Sequence, residues 1–476
     1  MKKADPNPKA NRNILKLVYV IVALFLGLIA YMAYFLQARG EDVINNSYNA
    51  RLDSFADRII RGKILAADGT VLAETQIDGD GNETRVYPYG SVFDHAVGYS
   101  TKGKTGIESL ANFYLLTSHV NLMEQALNQM SGEKNLGDNV YTTLDPQLQQ
   151  AAWDALGDRR GAVIAMEPDT GKILAMVSKP GYDPNTIAAD WETLTSEEND
   201  QGQLLTRVTQ GMYPPGSTFK IVTALEYMRE RPEDYKNFQF DCNGLYVNGD
   251  YQIRCYHGNA HGHQDFTLAF ANSCNGAFAS LGLELDLGRF ARTAQDVLFN
   301  SPLPLSGLPY KQSSFAMKPG AGTWEILQTS MGQGVTQITP LHNALITAAI
   351  ANGGTLMRPY LLDHVENVGG EEIRKFLPTA HGNLMTAEEA ANLTELMRAV
   401  VTEGTASAVR TDAYTVAAKT GSAEFETGKE THAWFTGFAP AEAPKIVVTV
   451  VVEEAGSGGR EAAPIARQLF DLYMSR

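Results

Sequence analysis

The sequence predicts an α+β fold: an antiparallel sheet flanked by helices, a helical lobe beside it, a mixed α/β pedestal and an N-terminal transmembrane helix. Three observations carry this. Strand-like apolar runs stand at residues 161–166 and 173–177 and again at 419–425, 433–438 and 446–452, so one sheet must be assembled from distant parts of the chain. Between them, residues 267–285 and 339–351 are rich in Ala and Leu and read as helix. Near the start, residues 17–36 contain no charged side chain.

With 476 residues the chain has room for a large domain and a smaller one, and 44% apolar with 20% charged residues suits a well-formed core. A formal net charge of −15 argues against nucleic acid as a partner. The 20 apolar residues from Leu17 to Leu36 match what a helix needs to cross a bilayer, and they exceed the apolar core of a cleaved signal peptide. Lys2, Lys3, Lys9 and Arg12 precede this segment, and Tyr31 and Tyr34 lie near its far end. The positive-inside rule therefore predicts residues 1–13 as a cytoplasmic tail, 14–36 as a single-pass anchor in the cell membrane, and the remainder outside. No cysteine near the end of the segment suggests a lipid anchor.

Residues 37–139 are predicted as a non-catalytic pedestal: helix continuing from the membrane to about Ala56, a β-hairpin turning at Asp68-Gly69, a Gly/Asp-rich loop at 78–82, and one or two helices within 107–128. Residues 98–105 match the phosphate-cradling pattern G-x-x-x-x-G-K-T. That motif needs a buried strand before it, and residues 87–97 are too polar and too interrupted to form one. From Val140 the texture changes to helix at 147–156, the hairpin of 161–177, and a closing helix at 463–473.

Met212-Tyr213-Pro214-Pro215-Gly216-Ser217-Thr218-Phe219-Lys220 opens a helix whose apolar face is Ile221, Val222, Leu225 and Tyr227. Ser217 and Lys220 are three apart and share a face of its first turn. A serine becomes a nucleophile when a neighbouring base takes its proton, and a desolvated lysine can be that base. Alone, Ser-x-x-Lys also fits a capping serine followed by a surface lysine. Two later stretches add to it. Ser273-Cys274-Asn275 precedes an apolar helix, and Lys419-Thr420-Gly421-Ser422 lies on a strand whose glycine admits close approach. Singly, Ser273 could be a helix cap and Lys419 an edge-strand charge. Together, in this order, they form the signature of serine β-lactamases and penicillin-binding proteins.

On these residues the sequence resembles the class B penicillin-binding proteins, the monofunctional peptidoglycan D,D-transpeptidases. The resemblance extends through Arg61-Gly62, Gly106-Ile107-Glu108, Met331-Gly332-Gln333-Gly334, Thr339-Pro340-Leu341 and residues 433–440. It departs at Ser422, where threonine is commoner, and at Glu424, where glutamine or arginine is common. It implies a DD-peptidase/β-lactamase-like transpeptidase domain at 140–476 above a dimerisation-like pedestal, with no cofactor. It also implies stem peptides ending in D-Ala-D-Ala as substrate, β-lactams as covalent inhibitors, and a membrane glycan polymerase of the SEDS family as partner. In the implied roles, Ser217 is the nucleophile and Lys220 its base. Ser273 relays a proton, and Asn275 holds Lys220 and the substrate amide. Lys419, Thr420, Gly421 and Ser422 line the carboxylate site, with the backbone N–H groups of Ser217 and Ser422 as oxyanion hole.

Other polar features read more plainly. His257, His261 and His263 sit in a Gly-rich loop without a clear fourth ligand, so no metal is expected. Cys242 and Cys255 flank a short hairpin in a compartment that permits a disulfide, though spacing alone does not establish its geometry. Cys274 is left as an odd, buried thiol. A β-lactamase would need a glutamate to activate the deacylating water, which the sequence does not identify. A β-lactam sensor would need an intracellular output domain, for which the predicted tail is too short.

Overall fold

The computed structural model describes residues 8–44, 58–426 and 428–476. The predicted helix leaving the membrane therefore runs to Ile44, and its continuation toward Ala56 lies outside the described residues. Within the helix Pro8–Ile44, the apolar span Ile14–Phe35 has mean hydropathy 2.5 and is not buried against any of the described residues, which suits a single-pass membrane anchor.

The catalytic sheet has five strands in the order Ala417–Ala423, His432–Ala439, Ile446–Val452, Gly161–Met166, Ile173–Lys179, all antiparallel. Its three central strands are buried at every position, and this explains their continuous apolar runs: both faces are covered. Thr436 Oγ1 lies 2.6 Å from Thr347 Oγ1 on the helix Pro340–Ala351, while the ring of its neighbour Phe435 meets Phe470 on the helix Gly458–Met474. Successive strand residues point to opposite faces, so these two helices sandwich the sheet. Lys419 is paired directly across from Thr436, which places its side chain on the Pro340–Ala351 face, toward the helical lobe.

A second, six-stranded sheet runs Glu372–Lys375, Leu362–Glu366, Asn139–Thr142, Ile64–Leu65, Val71–Ile77, Glu83–Val86. Its hairpin turns at Asp68-Gly69 as expected, with Gly69 at φ +85°. Two of its strands come from beyond residue 360, so the pedestal is stitched to the C-terminal half by backbone pairing. The residues matching the phosphate-loop pattern are preceded by the single turn Asp94–Val97 and not by a strand, and among the described residues they form no phosphate cradle.

Three local predictions need correction. Residues 107–128 form three short helices, Gly106–Leu110, Asn112–Leu115 and Leu122–Ser131, because the chain turns at Ala111 and again after Leu116. The helix expected from Thr218 begins as a 3₁₀ turn, Gly216–Phe219, and becomes α-helical only at Lys220. The long helix expected over 267–285 is two, Phe266–Ala271 and Asn275–Glu284, broken at Ser273, whose φ of +55° lies in the left-handed region.

Candidate active site

Three stretches meet where the helical lobe abuts the strand Ala417–Ala423. The 3₁₀ turn Gly216–Phe219 carries Ser217, and Lys220 follows as its C-cap and as the first residue of the α-helix Lys220–Glu230. The turn is pressed against the strand: a Cβ on Gly421 would stand 3.2 Å from Pro215 O and 3.3 Å from the Ser217 nitrogen. A Cβ on Gly332 would overlap Gly216 O at 1.8 Å, and Gly332 holds φ at +86°, so only glycine fits behind the serine turn.

Lys220 and Lys419 are both fully buried. Lys220 Nζ donates to Ser273 O at 2.6 Å and to Asn275 Oδ1 at 2.8 Å, and lies 3.3 Å from Ser273 Oγ. Lys419 Nζ donates to Ser273 Oγ at 2.9 Å and to Thr420 O at 3.0 Å. Thus the left-handed kink at Ser273 delivers one hydroxyl between two lysines. No carboxylate is hydrogen-bonded to either lysine among the described residues; each Nζ instead stands 5.4–5.5 Å from the ring centre of Phe278 or Phe270. Burial lowers Lys220 to about 8. Lys419 is held well below its ordinary value, by burial first and then by repulsion from Lys220. Like-charge repulsion thus acts on Lys419, and burial is the main cause at both lysines.

Ser217, Ser273, Asn275 and Ser422 remain half-buried and open to a ligand, while Thr420 and Gly421 are buried. Thr420 Oγ1 is 2.6 Å from Thr405 Oγ1. Glu424 is exposed, beyond the ring of polar groups. Some supporting groups were assigned no role in the sequence. Gln333 bridges the lobe to the strand, donating to Ser422 O at 3.3 Å and accepting from Glu424 N at 3.2 Å. Trp434 Nε1 donates to Pro214 O at 3.0 Å, and Asn275 Nδ2 donates to Arg254 O at 3.0 Å. A glycine on each side of Gln333 was the available signal that its backbone is closely packed. Nothing in the sequence points to Arg254, whose contribution is a main-chain carbonyl.

A buried lysine pair sharing a serine hydroxyl, beside a second serine wedged against a Lys-Thr-Gly strand, is an arrangement chemically suited to acyl transfer. The chain belongs to the penicillin-binding protein family: residues 161–471 match the penicillin binding protein transpeptidase domain, and residues 61–140 match the penicillin binding protein A dimerisation domain. It is 35% identical over 438 residues to the peptidoglycan D,D-transpeptidase PbpA of Mycolicibacterium smegmatis, covering 86% of this chain and 87% of that protein. The ceftriaxone acyl-enzyme of penicillin-binding protein A from Mycobacterium tuberculosis superimposes with TM-score 0.79 at 33% identity, covering 88% of this chain and 99% of that one. A D,D-transpeptidase domain from Eggerthella lenta gives TM-score 0.78 at 32% identity, over 88% and 99% of the two chains.

Proposed function

We infer that this protein is a peptidoglycan D,D-transpeptidase that cross-links stem peptides through an acyl-enzyme on Ser217 and is inhibited by β-lactams. The single observation that supports these roles best is the hydroxyl of Ser273 held between Lys220 and Lys419, 3.3 and 2.9 Å from their amines, with no carboxylate bonded to either lysine among the described residues.

Two ammonium groups sharing one hydroxyl in a buried site disfavour the doubly charged state, so the pair titrates as a unit. The carboxylate of a D-Ala-D-Ala terminus, received by Lys419, Thr420 and Ser422 over Gly421, stabilises the charged form of Lys419 and leaves Lys220 to be the neutral partner. A neutral amine has two N–H donors. Ser273 O and Asn275 Oδ1 are two pure acceptors at 2.6 and 2.8 Å, so the Lys220 lone pair is left to accept a proton. Ser217 Oγ attacks the penultimate carbonyl as its proton passes to Lys220, and the N–H groups of Ser217 and Ser422 stabilise the oxyanion. The C–N bond then breaks. Ser273, fed by Lys419, delivers a proton to the leaving D-alanine amine, and an amine of a neighbouring stem attacks the acyl-enzyme by the reverse route. A β-lactam enters as an analogue whose leaving group stays tethered.

We place the amino-terminal residues in the cytoplasm and the catalytic domain outside, from the Lys/Arg excess before the anchor. The anchor and pedestal, residues 14 to about 110, are the surface for a SEDS-family glycan polymerase. Exchanging them for unrelated segments should abolish co-purification of such a polymerase and leave penicillin acylation intact; undiminished co-purification would make the segment a passive spacer.

The nucleophile is tested on the full-length protein in detergent. Intact-mass analysis after penicillin should give one penicilloyl adduct that maps to Ser217. A stoichiometric adduct on Ser217→Ala would overturn the assignment.

A further inference from the structure

All three cysteines of the chain, Cys242, Cys255 and Cys274, are free, buried and gathered at one point with His261. Cys242 Sγ lies 3.6 Å from Cys255 Sγ, Cys255 Sγ lies 3.8 Å from Cys274 Sγ, and His261 Nδ1 lies 3.3 Å from Cys242 Sγ. A disulfide needs sulfurs about 2.05 Å apart, and it would serve two of the three thiols while leaving the third beside it. A tetrahedral zinc, with Zn–S of about 2.3 Å and Zn–N of about 2.0 Å, sets S···S edges near about 3.8 Å and S···N edges near about 3.5 Å. The contacts observed have those lengths, and all four donor atoms lie within 4.8 Å of one another. His257 and His263 take no part. His263 instead pairs with Asp241 at 2.8 Å, so the clustered histidines of the sequence contribute one donor, and the cysteines supply the remainder.

From this geometry we propose that Cys242, Cys255, His261 and Cys274 form a structural zinc site of Cys₃His type that clamps the Ser-x-Asn corner of the active site. Binding displaces the three thiol protons, so the site holds Zn²⁺ with three thiolates and one neutral imidazole.

The donors come from four separate places. Cys242 ends the strand Gln239–Cys242, and Cys255 follows the strand Tyr251–Arg254. His261 precedes the strand Gly262–Asp265, which pairs back on the first with Gly262 opposite Cys242. Cys274 caps the helix Asn275–Glu284, its sulfur accepting from Ala277 N at 3.5 Å, an N–H···S contact of the kind that supports a thiolate. The backbone at His261 is fixed in turn: Gln264 Nε2 donates to His261 O at 2.8 Å, and Asn272 Nδ2 donates to Gln264 Oε1 at 2.8 Å.

What the metal would hold is the left-handed kink. Ser273 and Asn275 flank Cys274, and Asn275 is further tied to Arg254 O, next to Cys255. A non-glycine residue at φ +55° persists only when its surroundings over-determine it. A metal bond at the central residue, joining the helix cap to the ends of three strands, supplies that restraint. The four ligands are positioning residues, and their effect on acylation rests on the roles proposed above for Ser273 and Asn275. The metal site itself does not.

The test uses the full-length protein purified in detergent without chelator. Elemental analysis should find about one zinc per chain. Exchange for Co²⁺ should give the thiolate-to-cobalt charge-transfer band and the visible bands of a tetrahedral site. Cys242→Ser should lose the metal and slow penicillin acylation roughly 10-fold or more, and Cys242→Asp, which keeps an anionic ligand, should recover both in part. Absence of zinc together with failure to take up Co²⁺ after reduction would overturn the proposal. So would a wild-type mass showing a Cys242–Cys255 disulfide. Zinc present in wild type with acylation unchanged in metal-free Cys242→Ser would overturn the clamp.

Discussion

The pedestal and the cleft each bury two cations around one polar group, and the group differs. In the pedestal, Glu108 is fully buried; Arg61 Nε and Arg85 Nε donate to its two oxygens at 2.6 and 2.8 Å, and Tyr87 OH adds a third contact at 3.2 Å. Burial alone would raise the Glu108 carboxyl, but the two guanidinium groups more than offset it and hold it below its ordinary value. In the cleft the shared group is the hydroxyl of Ser273, which carries no charge to offset burial, and both lysines are lowered. A buried cation given a carboxylate is held charged; one given only uncharged acceptors is more easily deprotonated.

The largest effect that could break this comparison is on Lys220. Lys220→Arg should reduce acylation by the folded fraction roughly 10³-fold or more, because a guanidinium stays protonated. Retention of more than about a tenth of the rate would remove Lys220 from the base role. In the pedestal the outcome should reverse. Glu108→Gln leaves two buried guanidinium groups without their counter-charge and should cost about 3–5 kcal/mol of stability by thermal or denaturant unfolding, while the folded fraction acylates normally. A cost below about 1 kcal/mol would show that the arginines reach other partners.

How legible this was in the sequence follows from the same contrast. Ser217, Lys220, Ser273, Asn275, Lys419 and Ser422 lie in short motifs: the first opens a helix after Pro214-Pro215-Gly216, and the last lies within a strand. The structure brings all three stretches together. The two-ended sheet was legible for a similar reason, since strands such as Ile446–Val452 are apolar apart from one threonine, Thr449. The kink at Ser273 was not, because Ala and Leu continue on both sides and hide a break made by one backbone angle. Nor was the long-range pairing that ties Asn139–Thr142 to Leu362–Glu366, which depends on contacts more than 200 residues apart. The Glu108 staple was also invisible: Arg61, Arg85 and Glu108 are ordinary charges until folding brings them together.

A smaller effect sharpens the division between the two lysines. Lys419→Arg keeps a cation for the substrate carboxylate and should slow acylation by roughly 10- to 100-fold, less than Lys220→Arg, with the loss mainly in β-lactam affinity. Equal, complete loss in both variants would mean that the lysines act as one group.

The central claim is that a lysine whose charged form is disfavoured by burial activates Ser217, and the rate of penicillin acylation against pH tests it most directly. Lys220 is lowered to about 8, so its neutral form grows as pH rises toward that value. The single-turnover rate should rise about tenfold per pH unit on the acid side and level off above about 8. A rate independent of pH between about 6 and about 9, or one that falls as pH rises, would contradict the account.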